Sequence, residues 1–312
     1  MLTVGQVRQL RAVDGAQIVK TRSRETARQL FRADGVPVVI AARNEQDDLP
    51  ATLLSLAASS VPVQTWVVVN GTTDDTAARA AAMGARVLEC PVPSKMASLQ
   101  YAVREITADA ARGPILFTDA DTLVGPRWAA KLAAAARSPR VPVVALGNAF
   151  FTHGDSCLAD ALRNIRKAIV SHRCARRDER IIAQGANLAI DFGGSRAALD
   201  SYLSIDTRRF IGEEEEIVHR MIAAGGMCRN VLHRDVAVIT RGDRFALADL
   251  WRLRNDRSYS QRCARYQEYG DVRPYDASAV VLEAPVVLPR PAAPAPLRAR
   301  PLVPETVGPR SR

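Results

Sequence analysis

The sequence has no apolar run approaching the eighteen or so residues of a membrane-spanning helix, because even the alanine-rich stretch after Trp128 is broken by Lys131 and Arg137. No spanning helix is expected. Cysteine is scarce: Cys90, Cys157, Cys174, Cys228 and Cys263 are odd in number, scattered, and form no C-x-x-C pair, so neither a disulfide framework nor a structural zinc site is supported. A reducing, cytoplasmic setting fits best. The stretch MLTVGQVRQLRAVDG meets charge before an apolar core could form, so no secretory leader is expected. Neither G-x-G-x-x-G nor G-x-x-x-x-G-K-[ST] occurs, which argues against the common dinucleotide site and against a P-loop NTPase. Internal repeats, zinc fingers and RNA-recognition signatures are absent as well.

What is present is a chain of 312 residues with 47 % apolar and 24 % charged residues, enough for one large or two modest domains with a real core. Its net charge of +10 would attract nucleic acid, anionic lipid or phosphorylated small molecules alike, so the placement of the charge matters more than its size. The excess lies mainly at the two ends and in one internal segment. Residues 1–34 read as a basic helical extension, a solvated helix face rather than a lipid-binding one. Residues 284–312 are rich in proline and arginine without apolar periodicity, and read as a disordered tail. The internal segment holds Arg163, Arg166, Lys167, Arg173, Arg176, Arg177 and Arg180. It is either a solvated face or the contact for an anionic ligand, phosphorylated or lipid-linked, with peripheral membrane contact as one form of the latter.

Between the two ends, short β-branched runs alternate with helical stretches. The runs are Val36–Ala41, Thr65–Val69, Ala85–Cys90 and Pro114–Thr118; helices are expected after Glu45, after Thr73, over Met96–Ile106 and over Arg127–Ala136. This alternation predicts βαβ units and a buried, mostly parallel sheet flanked by helices, with ligands bound at the carboxyl ends of the strands. One globular domain is expected over 35–270, with a ligand-binding half at about 35–125 and a second half at about 126–270.

Residues that follow the strands carry the chemistry. Asn44 or a neighbour reads as a helix cap after the first strand, and Gly71 as a turn after the second, with Thr72 and Asp75 spaced as a capping box. The strongest local signal is Phe117-Thr118-Asp119-Ala120-Asp121-Thr122 at the end of an apolar strand. If the backbone stays extended, Asp119 and Asp121 point to the same side, where two close carboxylates repel unless a cation lies between them. Mg²⁺ or Mn²⁺ shared with a diphosphate is the economical partner; a solvated turn is the alternative.

The second acidic cluster is Glu213-Glu214-Glu215-Glu216, opening a helix that continues with Ile217, Arg220, Met221 and Ile222. As structure, it complements the helix dipole, pairs Glu216 with Arg220 and offers an apolar stripe of Ile217, Met221 and Ile222. As chemistry, one Glu faces the ligand crevice as a general base, its proton affinity raised by its like-charged neighbours. His233 precedes an expected strand over Asp235–Thr240, and a lone His is commonly structural.

The order of these motifs resembles the inverting family-2 glycosyltransferases, which have the nucleotide-diphospho-sugar transferase fold of the A type (GT-A). The matching segments are Ala42-Arg43-Asn44-Glu45, Asn70-Gly71-Thr72-Thr73-Asp74-Asp75-Thr76, Lys95-Met96-Ala97-Ser98-Leu99, Asp119-Ala120-Asp121, Gly185-Ala186-Asn187-Leu188-Ala189, and the helix start from Glu213 to Arg220. The resemblance implies that Ala41, Arg43, Glu45 and Asn70 lie around the nucleoside, with Lys95 nearby and Gly185 and Asn187 completing the nucleotide-sugar site. It implies further that Asp119 approaches the ribose or the metal, that Asp121 holds the metal, and that Glu214 or its neighbour Glu213 is the base. Asn70 stands where the family commonly has Asp, and Glu214 where it has Asp.

The implied reaction moves a sugar from a UDP- or GDP-linked donor to an acceptor hydroxyl with inversion. Gln261 and Arg265, with Tyr266, loosely resemble the Q-x-x-R-W signature of processive synthases and mark either the acceptor side or one face of an ordinary helix. Two alternatives remain: a nucleotidyltransferase of the same fold, whose glycine-rich basic loop is not evident before Glu45, and a basic nucleic-acid-binding protein, which lacks a recognition motif. No nucleic-acid partner is expected.

Overall fold

The structure is a computed structural model that describes residues 30–92, 94–108, 113–152, 185–206, 213–231 and 233–241. Most of the expected N-terminal extension, the basic segment 163–180, Gln261 and Arg265, and the tail 284–312 lie outside the described residues.

Ten strands can be followed: β1 (Val36–Ala42), β2 (Val63–Val69), β3 (Arg86–Glu89), β4 (Ile115–Asp119), β5 (Thr122–Leu123), β6 (Val143–Gly147), β7 (Ala149–Thr152), β8 (Leu188–Asp191), β9 (Met227–Val231) and β10 (Val238–Arg241). The helices are α1 (Leu49–Ala57), α2 (Thr76–Ala82), α3 (Lys95–Ala108), α4 (Trp128–Ala136), α5 (Arg196–Leu203) and α6 (Glu213–Ala223). Seven strands form one sheet in the order β3-β2-β1-β4-β8-β6-β9, and β5-β10-β7 form a small second one. In the large sheet β3, β2, β1 and β4 pair in parallel, β8 pairs antiparallel with both β4 and β6, and β9 runs parallel to β6. Only β8 therefore runs against the rest, and the sheet is mostly parallel as the alternating pattern predicts.

Both faces of this sheet are covered, which is why its strands read as continuous apolar runs. Side chains alternate across β1: Val38, Ile40 and Ala42 join a cluster with Leu49, Leu53 and Leu56 of α1, Ala80 of α2 and Trp128, Ala129 and Leu132 of α4. Val39 joins the opposite cluster with Met96, Ala97 and Val103 of α3, Tyr202 of α5 and Ile217, Val218 and Met221 of α6. Fully burying one such large apolar side chain contributes about 1.5–3 kcal/mol, so the two clusters dominate the stability of the fold. Leu30 is fully buried in the first cluster and Phe31 packs edge-on against Trp66 at 5.5 Å, so the core begins before residue 35.

Two sequence expectations are corrected here. The last strand starts at Val238 rather than Asp235, because the amides of Val236 and Ala237 donate back to the carbonyl of His233 and hold a turn there. Along α6 the buried stripe is Ile217, Val218 and Met221, while Ile222 is exposed. Its position one residue past Met221 turns it away from the sheet.

Candidate active site

The register puts Ala41 opposite both Val68 and Asp119, so the carboxyl ends of β1, β2 and β4 lie side by side. From β1 the chain steps outward to β2 and β3 and then returns through α3 to β4 on the other side of β1, and such a switch point between β1 and β4 opens a crevice. Asn70, immediately after β2, is buried, and its amide donates to Ser98 Oγ (2.7 Å) and to the carbonyl of Ser94 (3.2 Å). Arg43 is exposed on the loop after β1.

That loop is laced to the loop after β2. Asn44 Oδ1 accepts from the amide (2.9 Å) and hydroxyl (3.3 Å) of Thr73, the Glu45 amide donates to Thr76 Oγ1 (2.8 Å), and the Gln46 amide donates to Asp74 Oδ2 (3.2 Å). Asn44 reaches this geometry with φ +54°, a left-handed conformation that Asn tolerates better than most side chains. Burial pushes the Asp74 carboxyl up, but hydrogen bonds from the Thr76 hydroxyl and from the amides of Thr76 and Gln46 outweigh it and hold the group below the ordinary carboxylate value. The expected Thr72–Asp75 capping box does not form: Asp75 occupies the cap position of α2 without a side-chain bond, and Asp74 takes the Thr76 amide instead. Gly71 supplies the expected turn with φ +60°.

Lys95, the first residue of α3, reaches into the crevice. Its Nζ lies 2.9 Å from Asp119 Oδ1 at the end of β4 and 3.7 Å from Glu214 Oε1 in the first turn of α6. Gly185 makes the approach possible, since a Cβ there would stand 2.2 Å from Glu214 Oε1 and 2.7 Å from Lys95 Nζ. Four residues singled out in sequence, from four separate segments, thus meet in one place. Glu214 is the most enclosed of the three charged side chains at 17 % exposure, yet its position in the crevice keeps it within reach of a ligand. The side chains of Glu213 and Glu215 lie outside the described atoms.

The D-x-D segment is built differently from the extended arrangement expected. Strand β4 ends at Asp119, residues 120–121 form a turn, and β5 begins in the other sheet. The buried Ala120 carbonyl accepts from Thr52 Oγ1 of α1 at 2.7 Å, which fixes that turn. Asp119 therefore meets Lys95, whereas Asp121 Oδ1 accepts from Thr240 Oγ1 of β10 at 3.0 Å. Thr240 carries no local sequence signal; only the pairing of Thr240 with Thr122 across β10 and β5 brings it there. Among the described residues no three His, Cys, Asp or Glu side chains form a cage for a metal ion.

Three further candidates are placed away from ligand chemistry. Asn187 is fully buried: its amide donates to the carbonyls of Asn148 (2.8 Å) and Val236 (2.7 Å), and its Oδ1 accepts from Trp128 Nε1 (2.9 Å). The expectation that Asn187 touches the donor is corrected, because its polar atoms are spent on joining β8, α4 and the approach to β10. Glu216 is buried and pairs with Arg220 at 2.8 Å, as its spacing predicts, which removes it from the candidates for the base. His233 Nδ1 accepts from the Asp235 amide at 3.1 Å, a turn-forming role.

A mostly parallel sheet covered by helices on both faces thus carries Lys95, Asp119 and Glu214 where its strands end. Residues 38–169 match the glycosyl transferase family 2 model. No curated protein matches. Similar solved structures include glucosyl-3-phosphoglycerate synthase from Mycobacterium tuberculosis with Mn²⁺, uridine diphosphate and glucosyl-3-phosphoglycerate, at 19 % identity and a TM-score of 0.45, covering 77 % of this chain and 80 % of that one. The same enzyme with Mn²⁺, uridine diphosphate and phosphoglyceric acid gives 18 % identity and a TM-score of 0.45, covering 80 % and 78 %. A mycobacterial protein gives 20 % identity and a TM-score of 0.41, covering 70 % and 67 %. No helix among the described residues is long and apolar enough to cross a membrane.

Proposed function

We propose that this chain is a glycosyltransferase that takes a UDP- or GDP-linked sugar in the crevice at the ends of β1, β2 and β4 and passes it, with inversion, to the hydroxyl of an anionic acceptor in the cytoplasm. The observation that carries the reading is the meeting of Lys95, Asp119 and Glu214 at the sheet's ligand-binding edge, around a residue with no side chain. The laced loops after β1 and β2, with Ala41, Arg43, Glu45 and Asn70, form the wall for the nucleoside. Asp121 suits a hard divalent cation, because it offers carboxylate oxygen and a donor diphosphate with water would complete the shell, while Asp119 is held by Lys95 beside it. Mg²⁺ or Mn²⁺ held there would offset the charge that grows on the departing nucleoside diphosphate.

Glu214 acts as the base: it takes the proton of the acceptor hydroxyl as that oxygen attacks the anomeric carbon from the side opposite the leaving group. Lys95 keeps the Glu214 carboxylate oriented and places a positive charge beside the donor's phosphates. Calorimetric titration of UDP and GDP, with and without Mn²⁺, into the wild type and Asp121→Ala tests the reading. Metal-dependent binding that disappears in the variant is expected; no binding of either nucleotide at millimolar concentration would overturn it.

A further inference from the structure

Asp121 sits on a turn, and a turn by itself holds a carboxylate loosely. Its Oδ1 nevertheless has a fixed partner, the hydroxyl of Thr240 at 3.0 Å, with Thr122 Oγ1 at a longer 3.4 Å. Thr240 is itself nearly inaccessible and lies in the middle strand of the small sheet, paired antiparallel with Thr122 of β5 and parallel with Phe151 of β7. The next residue, Arg241, forms an ion pair with Asp48 just ahead of α1, so β10 is tied down at consecutive positions. The donor of this hydrogen bond is therefore held more firmly than its acceptor.

We propose that Thr240 is the positioning residue for Asp121: its hydroxyl, donating to Oδ1, fixes the orientation in which the carboxylate meets the divalent cation of the donor complex. This rests on the reading of Asp121 as a cation ligand given above. A hydrogen bond behind the ligand removes the rotational freedom that binding would otherwise have to freeze, and loss of such an outer partner typically weakens metal affinity by about 10–100-fold.

The test uses the full chain and Mn²⁺ with UDP as the probe, followed by calorimetry and by the electron paramagnetic resonance signal of free Mn²⁺. Thr240→Val keeps the shape and removes the donor; Thr240→Ser keeps the donor. Expected is a roughly tenfold or greater weakening of UDP-dependent Mn²⁺ binding in Thr240→Val, near-wild-type binding in Thr240→Ser, and equal binding of UDP without metal in all three. Thermal melting shows whether each variant is folded. A folded Thr240→Val that binds Mn²⁺ with UDP as tightly as the wild type overturns the proposal. If Thr240→Val melts early, the Thr240→Ser variant together with Thr240→Ala decides by the same comparison, since a purely structural role predicts that metal-free UDP binding falls as well. Asp121→Asn separates the two levels: if it too binds Mn²⁺ with UDP undiminished, the assignment of Asp121 fails, whereas loss there without loss in Thr240→Val sinks only the positioning role.

Discussion

The ammonium of Lys95 stands 3.7 Å from the carboxylate of Glu214, and the two meet where residue 185 contributes no side chain. A methyl group at that point would fall 2.2 Å from Glu214 Oε1 and 2.7 Å from Lys95 Nζ, well inside contact distance. Both neighbours are the ends of flexible side chains, so they can move aside without unfolding the chain. Gly185→Ala is accordingly expected to lower kcat by roughly tenfold or more, because misplacement of a catalytic group by about 1 Å can cost a hundredfold. Melting temperature and nucleotide affinity should stay close to wild type. Parallel melting curves and steady-state kinetics check this, and an unchanged kcat would show that the contact between the two side chains is not used in turnover.

Glu214 and Glu216 are two residues apart and should behave in opposite ways. Glu214→Gln removes the proton acceptor and is expected to cut kcat by about 10²–10⁴, the usual range for a general base, with donor binding and stability preserved. Glu216→Ala instead leaves the half-buried Arg220 without its carboxylate, which is expected to cost stability toward the lower end of the roughly 3–5 kcal/mol lost when a buried pair is broken. Urea unfolding alongside kinetics separates the two. A Glu214→Gln enzyme with full turnover would remove Glu214 from the mechanism.

The sheet was legible in the sequence because strands covered on both faces, such as β1 and β2, must be apolar throughout, and the helices between them keep their own period. The meeting of Lys95, Asp119 and Glu214 was legible only through the order of motifs, since no local spacing brings α3, β4 and α6 together. Other contacts left no trace. Thr240 reaches Asp121 by cross-strand pairing over a long separation in sequence, and Asn187 looks like a site residue until its three partners are seen. The expected alignment of Asp119 with Asp121 failed for a plain reason: alternation holds only while a strand continues, and Thr52 stops β4 by holding the carbonyl of Ala120.

Asn187 offers a direct test of its structural role. Truncation to alanine strands Trp128 Nε1 and the carbonyl of Val236 in the interior, while the carbonyl of Asn148 keeps the Val238 amide. Each buried group left unsatisfied costs about 1–3 kcal/mol, so Asn187→Ala is expected to lose at least about 2 kcal/mol in urea unfolding. Nucleotide affinity of the fraction that remains folded should be unchanged. A stable variant with weakened UDP binding would return Asn187 to the ligand site.

Asp74 ties the loop after β2 to the loop after β1, and its protonation gives that tie a pH dependence. Hydrogen bonds from the Thr76 hydroxyl and from the amides of Thr76 and Gln46 outweigh burial, so the folded-state pKa lies below the ordinary value of 3.8. A depressed carboxylate pKa means that the unfolded chain binds the proton more readily than the folded one. The stabilisation is therefore fully present above the ordinary value, and it is lost as pH falls from there through the folded value. Asp74→Asn cannot titrate, so the gap in urea midpoint between wild type and variant should be constant from pH 7 to pH 5 and shrink as pH drops toward 3. A gap that holds its size down to pH 3 would mean that the charge on Asp74 does not contribute to holding the two loops together, and that the lacing rests on Asn44, Thr73 and Thr76 alone.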